Sequence, residues 1–395
     1  MNSKNSFVRF LFVSVLLASP AAFAIKVPTG TDDFLLNINV LLQARAAGYW
    51  DGDRPTATGG ASPHGTFDTD FYIRRARLIT SGTAFQHFTY YIMLDTPNFG
   101  IRGNYGGTTG TTILQDLHIG YIFAKDVELE MGFLYMPLSH LALNSSAATS
   151  AIEKSTAIIF YNNNRGLRET GIQIRALFLD NRILLRGGLY EGLKGDPNAA
   201  VVVNPNGRPL FGGTVRVNLI GYETGYAYPS LYLDGKTRVS IGVAGQYQTK
   251  GSNTPVTGSV PNAQGVRPVT LRGVNDYIAG SADIFADFAL PGDTELAIQA
   301  DVYRFDWGSG SDKTGYGSTL EIGYRIGQIE PEVNGYWFNS ESHQFSFLKL
   351  AGGLNYFFKG HQAKLGLEFW HIKSGVNFDA SNALHQIVLQ AQANF

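Results

Sequence analysis

The side chains best suited to chemistry in this sequence are basic. Arg74, Arg75 and Arg77 lie within four positions of one another, and Lys154 follows later. Guanidinium and ammonium groups attract anions through charge and hydrogen bonds. Adjacent arginines cannot both face one side of a regular strand, so we expect one of Arg74 and Arg75 to lie beside a bulge or at a contact between subunits. The four cations are predicted to form a narrow passage that draws anions in without trapping them; the alternative is that they only pack and form ion pairs.

A second group of charged residues lies on segments that alternate like strands. A charged side chain facing lipid costs about 2 to 4 kcal/mol at mid-bilayer in a barrel, so these residues should line water. If they share one lumen, the two signs face each other and the field between them orients dipolar solutes. The alternative for any one of them is a solvated position near a rim. The basic members are Arg175, Arg186, Arg216 and Arg238, and the acidic members are Glu295, Asp301, Glu321, Glu330, Glu332 and Glu368.

Sites for bond-making chemistry are not found in the sequence. The eight histidines lack the i, i+4 spacing of a zinc-protease helix, and there is no cysteine. Gly106-Gly107 is not followed by the Lys-Ser or Lys-Thr pair of a phosphate-binding loop, and no Gly-x-Ser-x-Gly elbow occurs. We therefore predict no catalytic residue, no metal and no cofactor, and a protein that is not an enzyme.

Alternation with a period of two is the dominant pattern, and it is clearest at 384–395. Ile387 and Leu389 alternate there with Gln386 and Gln390, so one face of the predicted strand suits lipid and the other suits water. Backbone polar groups in hydrocarbon must be hydrogen-bonded within the protein, which allows such strands only in a closed barrel. The predicted fold class is therefore all-β, a transmembrane antiparallel β-barrel.

About sixteen strands are predicted. Tight turns are expected at Asp180-Asn181 and Pro291-Gly292, and an external loop is expected at 250–272. Barrels of about 16 to 18 strands are wide enough to enclose an aqueous channel, so the strand number favours transport. The predicted strands span 34–48, 70–83, 86–95, 114–123, 127–135, 167–178, 182–191, 212–221, 236–249, 275–290, 293–306, 315–326, 329–339, 347–358, 362–373 and 384–395.

Residues 1–24 are predicted to be a cleaved signal peptide. Lys4 and Arg9 precede the apolar run 10–18, which is too short to cross a bilayer as a helix, and small residues follow it. Residues 25–395 then form the predicted barrel domain. The chain has 31 basic and 32 acidic residues, and this lack of excess positive charge argues against nucleic acid as a partner.

Several motifs resemble those of the phosphate-selective porin O/P family. The segment 71–78 (FYIRRARL), followed by Gly82 and 88–95 (FTYYIMLD), is similar to two successive strands of that family. The blocks 114–116, 120–121, 130–133, 137–139 and 152–155 resemble the stretch that the family uses for two strands and a long third loop. The resemblance covers about 34–188, and the pattern beyond it is barrel-like and ends in Phe395, similar to the C-terminal signature of outer-membrane barrels.

The resemblance implies an exported outer-membrane porin. It implies a sixteen-stranded barrel, usually a homotrimer, embedded in outer-membrane lipid and lipopolysaccharide. It also implies a third loop folded into the barrel and a passive, water-filled channel for ion transport, whose constriction prefers anions such as phosphate. The expected partners are therefore small anionic or polar solutes.

The sequence departs from the family pattern near the expected constriction. Members often carry a basic residue just before the loop proline, where this chain has 134–136 (LYM). The predicted loop tip 144–150 is neutral, and Lys154 stands where an arginine is common. A general porin, or one for another substrate without anion selectivity, is therefore an open alternative. An outer-membrane barrel enzyme and a structural or adhesive surface protein are further alternatives from other classes.

Overall fold

The computed structural model describes eleven stretches of the chain. The predicted signal peptide at 1–24 lies outside them. The described residues are 25–30, 33–50, 67–101, 112–154, 167–192, 207–257, 269–308, 311, 313–341, 346–375 and 383–395.

Sixteen long antiparallel strands close into one barrel, which confirms the predicted fold class and strand number. A three-residue strand, β1 (Ile25–Val27), precedes them and pairs with the start of β2. The long strands are β2 (Phe34–Trp50), β3 (Asp68–Ala84), β4 (Phe88–Asp95), β5 (Ile113–Ala124), β6 (Val127–Tyr135), β7 (Arg168–Phe178), β8 (Ile183–Tyr190), β9 (Leu210–Ile220), β10 (Arg238–Thr257), β11 (Val269–Leu290), β12 (Thr294–Asp306), β13 (Gly315–Ile326), β14 (Ile329–Ser340), β15 (Ser346–Lys359), β16 (Ala363–Gly375) and β17 (Leu384–Asn394).

The barrel closes where β17 pairs with β2. The register runs from His385 opposite Trp50 to Asn394 opposite Leu41. Every other long strand pairs with its neighbours in the sequence. Closure gives the backbone N–H and C=O groups of the first and last long strands their hydrogen-bond partners. β-structure in hydrocarbon requires this pairing.

The two faces of each strand differ as the alternation predicts. On β17, Gln386, Gln390 and Gln392 are buried, whereas Ile387 and Leu389 are 39% and 41% exposed. This arrangement places apolar side chains on the outer surface, towards lipid, and polar side chains inside. Within the described residues, no helix is long and apolar enough to cross a membrane.

Strands β10 and β11 extend beyond their predicted bounds into the expected loop at 250–272. Thr257 still pairs with Val269, and the register shifts beside Pro255. A proline has no N–H to donate and is accommodated at such irregularities. The composition of this stretch therefore predicts a loop although the chain forms a strand pair there. The loop prediction is wrong for these strand residues, and 258–268 lie outside the described residues.

One end of the barrel, which we call the turn end, is where β2 begins and β17 ends. Most connections at this end contain two to four residues. The two predicted tight turns are present there, with positive φ at Asp180 and Asn181 in one and at Gly292 in the other. Asn, Asp and Gly adopt this backbone conformation most readily, which explains their positions.

Two longer connections differ from these turns, and both are largely buried. The loop segment, 136–154, follows β6 at the opposite end of the barrel and contains a short 3-10 helix, Leu141–Leu143. The turn segment, 221–237, joins β9 to β10 at the turn end. Side chains from both segments share a buried apolar cluster, to which Leu141 and Tyr228 belong. The two connections therefore share one buried layer, which we call the inner layer.

Candidate functional site

Three arginines converge on one carboxylate of the loop segment, and we call this group the Glu153 cluster. The Glu153 carboxylate lies 2.9 Å from Arg45, 2.8 Å from Arg74 and 2.6 Å from Arg75. All three arginines come from the adjacent strands β2 and β3. Three positive charges share one negative charge, so the cluster carries a net positive charge.

A β-bulge explains how adjacent arginines reach the same carboxylate. Gln43 pairs with Arg75, but the next residue of β2, Ala44, pairs with Ile73, which leaves Arg74 as the extra residue. A bulge re-aims the side chain of the extra residue. Of the two expected explanations for the arginine pair, the structure supports the bulge.

The charge state of Glu153 is set by these neighbours. Burial alone would raise the pKa of its carboxyl, but Arg74, Arg75 and Arg45 hold that pKa well below the ordinary value. The carboxylate therefore remains ionised at neutral pH and holds the three guanidinium groups near one another.

Lys154 is the next residue of the loop segment and is 8% exposed. Its ammonium lies 5.6 Å from the centre of the Tyr135 ring, within the range of a cation–π contact. Burial, followed by the positive charges of Arg168, Arg75 and Arg77, lowers the pKa of the Lys154 ammonium well below its ordinary value. Its charge therefore depends on pH more closely than that of the arginines.

Arg77 lies apart from the Glu153 cluster on the same strand. Its guanidinium is 2.8 Å from the Asp95 carboxylate and also donates a hydrogen bond to the Ser146 hydroxyl of the loop segment. Asp95 balances its charge, while Ser146 links this part of β3 to the loop segment. Of the four residues predicted for the constriction, Arg74, Arg75 and Arg77 thus all contact the loop segment, and Lys154 belongs to it.

The loop segment is hydrogen-bonded to strands that are not neighbours in the barrel, because β16 and β17 separate β15 from β2. Gln43 on β2 donates a hydrogen bond to the Ser146 carbonyl at 3.0 Å. The Ser150 hydroxyl donates to Glu330 on β14 at 2.6 Å, and Asn355 on β15 donates to the Ser150 carbonyl at 2.8 Å. These contacts hold the segment against the polar face of the strands.

A cavity lies between the loop segment, the turn segment and the strands β2 to β7. Both segments and these strands contribute to its lining, and one further residue comes from β17. Aromatic and charged groups therefore surround the space together. They include Arg77, Tyr91, His118, Glu130, Tyr135 and Tyr226.

Two of the predicted pore-lining arginines, Arg175 and Arg216, face inward and are neutralised by carboxylates. Arg175 lies 2.6 Å from Glu128 and 3.0 Å from Glu130. Arg216 lies 2.5 Å from Asp283. Both arginine side chains are 2% exposed, so their charges are balanced by buried neighbours.

The other two predicted arginines have different surroundings. Arg186 is fully buried and donates hydrogen bonds to the carbonyl groups of Gly225 and Tyr226 in the turn segment. Arg238 begins β10 at the turn end and pairs with Asp234 at 2.6 Å. The structure therefore places Arg238 near the rim, away from Arg175, Arg186 and Arg216.

The predicted acidic residues are all buried and lie on β12, β13, β14 and β16, the opposite side from β3 to β9. Glu295 is close to the turn end and pairs with Arg325 at 3.2 Å. Glu332 accepts a hydrogen bond from Asn334, and Asp301 accepts one from Thr319, each at 2.8 Å. The exposed fractions are 2% for Glu295, 2% for Asp301, 4% for Glu321, 0% for Glu330, 4% for Glu332 and 1% for Glu368.

Lysines lie among these acidic residues. The ammonium of Lys349 is 3.7 Å from the centre of the Trp370 ring, and Lys364 donates a hydrogen bond to the Thr149 carbonyl of the loop segment. Glu321 on β13 has no hydrogen-bond partner for its carboxylate among the described residues. We call the acidic residues of β12, β13, β14 and β16 the acidic wall. In the part of the chain that the structure describes, positive charges and hydrogen bonds balance some of its carboxylates but not all of them.

Two of the residues predicted for the constriction, Arg74 and Arg75, belong to the net positive cluster of the barrel interior. The predicted field opposed arginines on β7 to β10 with acids on later strands, but the net positive cluster lies on β2 and β3. Arg45, Glu153 as its partner and the whole turn segment were missed as site residues. The inward position of Arg45 could have been read from the sequence, because Gln43 and Arg45 are two residues apart and therefore lie on the same face of β2.

The site and the fold define a class of protein. A closed sixteen-stranded barrel, apolar outside and charged inside, is the architecture of outer-membrane channel proteins. The chain belongs to the phosphate-selective porin O and P family, whose pattern matches residues 64–277. It is therefore an outer-membrane porin, and its family and fold point to a channel rather than an enzyme.

Solved structures support the same fold. The outer-membrane channel DcaP of Acinetobacter baumannii is 11% identical, with a TM-score of 0.56 over 92% of this chain and 97% of that one. The anion-selective porin of Comamonas acidovorans is 12% identical, with a TM-score of 0.55 over 92% of this chain and 100% of that one.

The trimer form of OmpT of Vibrio cholerae is 9% identical, with a TM-score of 0.54 over 92% of this chain and 100% of that one. At these identities the likeness concerns the fold alone. No curated protein matches the chain in sequence.

Proposed function

We propose that this porin passes small anions and polar solutes, with a preference for anions such as phosphate. The observation that carries the proposal is the Glu153 cluster, in which three guanidinium groups share one carboxylate. A net positive charge beside a water-filled path lowers the free energy of an anion there and raises that of a cation. The family of the chain supports the same preference.

The loop segment, in this proposal, is the third loop folded into the lumen, where it forms the constriction with Arg74, Arg75, Arg77 and Lys154. Its hydrogen bonds to β2, β14 and β15 support this position, since they come from buried side chains of strands that are not all neighbours in the barrel. The arginines Arg175, Arg186 and Arg216 would then stabilise the inner layer, and the acidic wall would orient dipolar solutes.

The test is the reversal potential of the purified protein in planar bilayers under a potassium chloride gradient, with phosphate then added. We expect an anion-selective reversal and block of the chloride current by phosphate. Arg75→Gln should move the reversal potential towards that of a cation channel. Arg304→Gln is the matched control. It removes the same charge from a residue that is 32% exposed and lies near the end of β12 farthest from the turn end.

A general porin without anion selectivity is the second candidate. The acidic wall favours it, because Glu321 and Glu332 retain carboxylate oxygens without partners among the described residues. A cation-selective or neutral reversal potential without phosphate block would reject the anion proposal and support this one.

We also infer that the chain is exported, cleaved after residue 24 and assembled as a homotrimer in the outer-membrane lipid and lipopolysaccharide. The sequence pattern at the N-terminus supports cleavage, and the trimer form of the OmpT fold relative supports the assembly. The intact mass of the membrane form would contradict cleavage if it retained 395 residues. Native mass spectrometry from mild detergent would contradict the trimer if it gave monomers only.

A further inference from the structure

The turn segment is much longer than the other connections at its end of the barrel. It contains seventeen residues, whereas the connections β3–β4, β5–β6, β7–β8, β11–β12, β13–β14 and β15–β16 contain two to four. Short turns satisfy the geometry of an antiparallel strand pair, so the additional residues are not needed to join β9 to β10. The middle of the segment is also not solvated, since Tyr228 and Leu231 are fully buried.

The backbone of the turn segment is bonded to the backbone of the loop segment. The Ser145 N–H donates to the Tyr228 carbonyl at 2.7 Å, and the Tyr228 N–H donates to the Leu143 carbonyl at 3.0 Å. A third bond runs from the Ser230 N–H to the Ala148 carbonyl at 2.9 Å. The two segments therefore form a small parallel pairing that spans the inner layer.

Charged side chains of the barrel wall fix the path of the turn segment. Arg186 donates to the Tyr226 carbonyl at 3.0 Å, and Arg175 donates to the Thr224 carbonyl at 3.2 Å. His140 of the loop segment lies 2.7 Å from Glu223, and both side chains are fully buried. These bonds give the segment one defined position.

Tyr226 and Ala227 are the residues of the turn segment that line the cavity, and Tyr226 has the larger side chain. Its ring centre lies 5.7 Å from that of Tyr91, 4.6 Å from that of His118 and 5.4 Å from that of Tyr135. Its hydroxyl accepts a hydrogen bond from the Tyr135 N–H at 2.9 Å. The ring is therefore held at the edge of the space that also contains Arg77.

We propose that the turn segment is a second pore-narrowing element, entering from the turn end, and that Tyr226 is a specificity-determining residue of the passage. The inference rests on the proposed channel function. The loop segment and the turn segment together leave the cavity beside β2 to β7 as the passage, and the ring of Tyr226 limits its width. Size selection then depends on an aromatic side chain from the end of the barrel opposite the loop segment.

The test uses the full chain in planar bilayers with symmetrical salt. Because the sequence contains no cysteine, Tyr226→Cys introduces one thiol that a cationic thiosulfonate reagent can modify. We expect modification to lower the single-channel conductance by about half or more, since added atoms would narrow a constriction, and a reducing agent to restore it. Tyr226→Ala should raise the conductance.

Tyr222→Cys is the matched control, because it lies on the same segment and its side chain is 53% exposed. Its modification should leave the conductance unchanged. The proposal is overturned if Cys at position 226 reacts, as shown by mass, without a change in conductance. It is also overturned if that thiol reacts only after the barrel is unfolded.

A further variant guards against failure of the cysteine protein to assemble. Tyr226→Trp keeps an aromatic ring and enlarges it, so the conductance should fall, and an unchanged conductance in assembled channels would reject the proposal. Conductance in symmetrical salt does not report the sign of the preferred ion. If the unmodified protein shows no anion preference, the proposed function is rejected, but the expected conductance changes at position 226 still apply.

Discussion

Buried arginines occur on two sides of this barrel, and their surroundings differ. On β7 and β9, Arg175 and Arg216 are balanced by nearby carboxylates. On β2 and β3, three arginines share the single carboxylate of Glu153. The difference shows that the number of basic residues facing a lumen does not determine the electrostatic field in that lumen. The pairing of each residue does, and it separates arginines whose charge is balanced by nearby carboxylates from a group whose positive charge is only partly balanced.

The largest effect that would sharpen this comparison is expected from Arg216→Gln. The change leaves Asp283 buried beside a neutral partner, and breaking a buried pair in this way costs about 3 to 5 kcal/mol. We expect a much lower midpoint of urea unfolding, followed by tryptophan fluorescence in detergent. The double variant Arg216→Gln with Asp283→Asn should recover part of the loss. A wild-type midpoint in the single variant would contradict the structural role of this pair.

Glu153→Gln tests the other arginine group. It removes the shared counter-charge, so anion preference should rise. A unit charge a few ångströms from an ion in water is worth about 1 kcal/mol with opposite sign for chloride and potassium, so their permeability ratio should change by up to roughly thirtyfold. Glu341→Gln, with a side chain that is 48% exposed, makes the same change in charge away from the cluster. If both variants shift the reversal potential equally, the cluster has no special role.

A smaller effect is expected from pH, through Lys154. Its pKa is lowered by burial and by Arg168, Arg75 and Arg77, so its charge is gained as pH falls through a value well below the usual one. Anion preference should therefore be stronger at pH 6 than at pH 9. Lys154→Arg keeps its charge throughout this range and should flatten the dependence. An unchanged pH profile of the reversal potential in the variant would exclude Lys154 as the titrating group.

The smallest effect is expected from Arg238→Gln at the turn end. Its partner Asp234 is 37% exposed, and pairs of this kind contribute about 0 to 1 kcal/mol. Neither the unfolding midpoint nor the reversal potential should change appreciably. A large shift in reversal potential would show that this rim residue acts on the permeating ion, and the distinction between rim and cluster would fail.

The sequence predicted the barrel well because lipid and water impose a strict period of two on every strand. Inward positions followed from this period, and Arg175, Arg186 and Arg216 are buried as alternation requires. Their partners did not follow, because a cross-strand neighbour depends on register. A single bulge, such as that at Arg74, changes which side chains meet.

The turn segment shows a different limit of sequence analysis. Its residues lack strand alternation, so the sequence predicts no more than a connection between two strands. A signal was present, since Tyr222, Tyr226, Tyr228 and Tyr232 fall within eleven positions. Aromatic side chains at this density are unusual in a solvated turn and indicate packing against other groups. What they pack against is a long-range contact that local pattern cannot identify.

The pairing of β17 with β2 has a consequence for how the protein is made. These strands are separated by nearly the whole sequence, and their ten residue pairs form the seam of the barrel. The wall therefore has open edges until the last strand arrives, and hydrogen-bonding groups on those edges can pair with other chains. A barrel of this kind therefore assembles without aggregation only if those edges stay shielded from other copies of the chain until β17 pairs with β2.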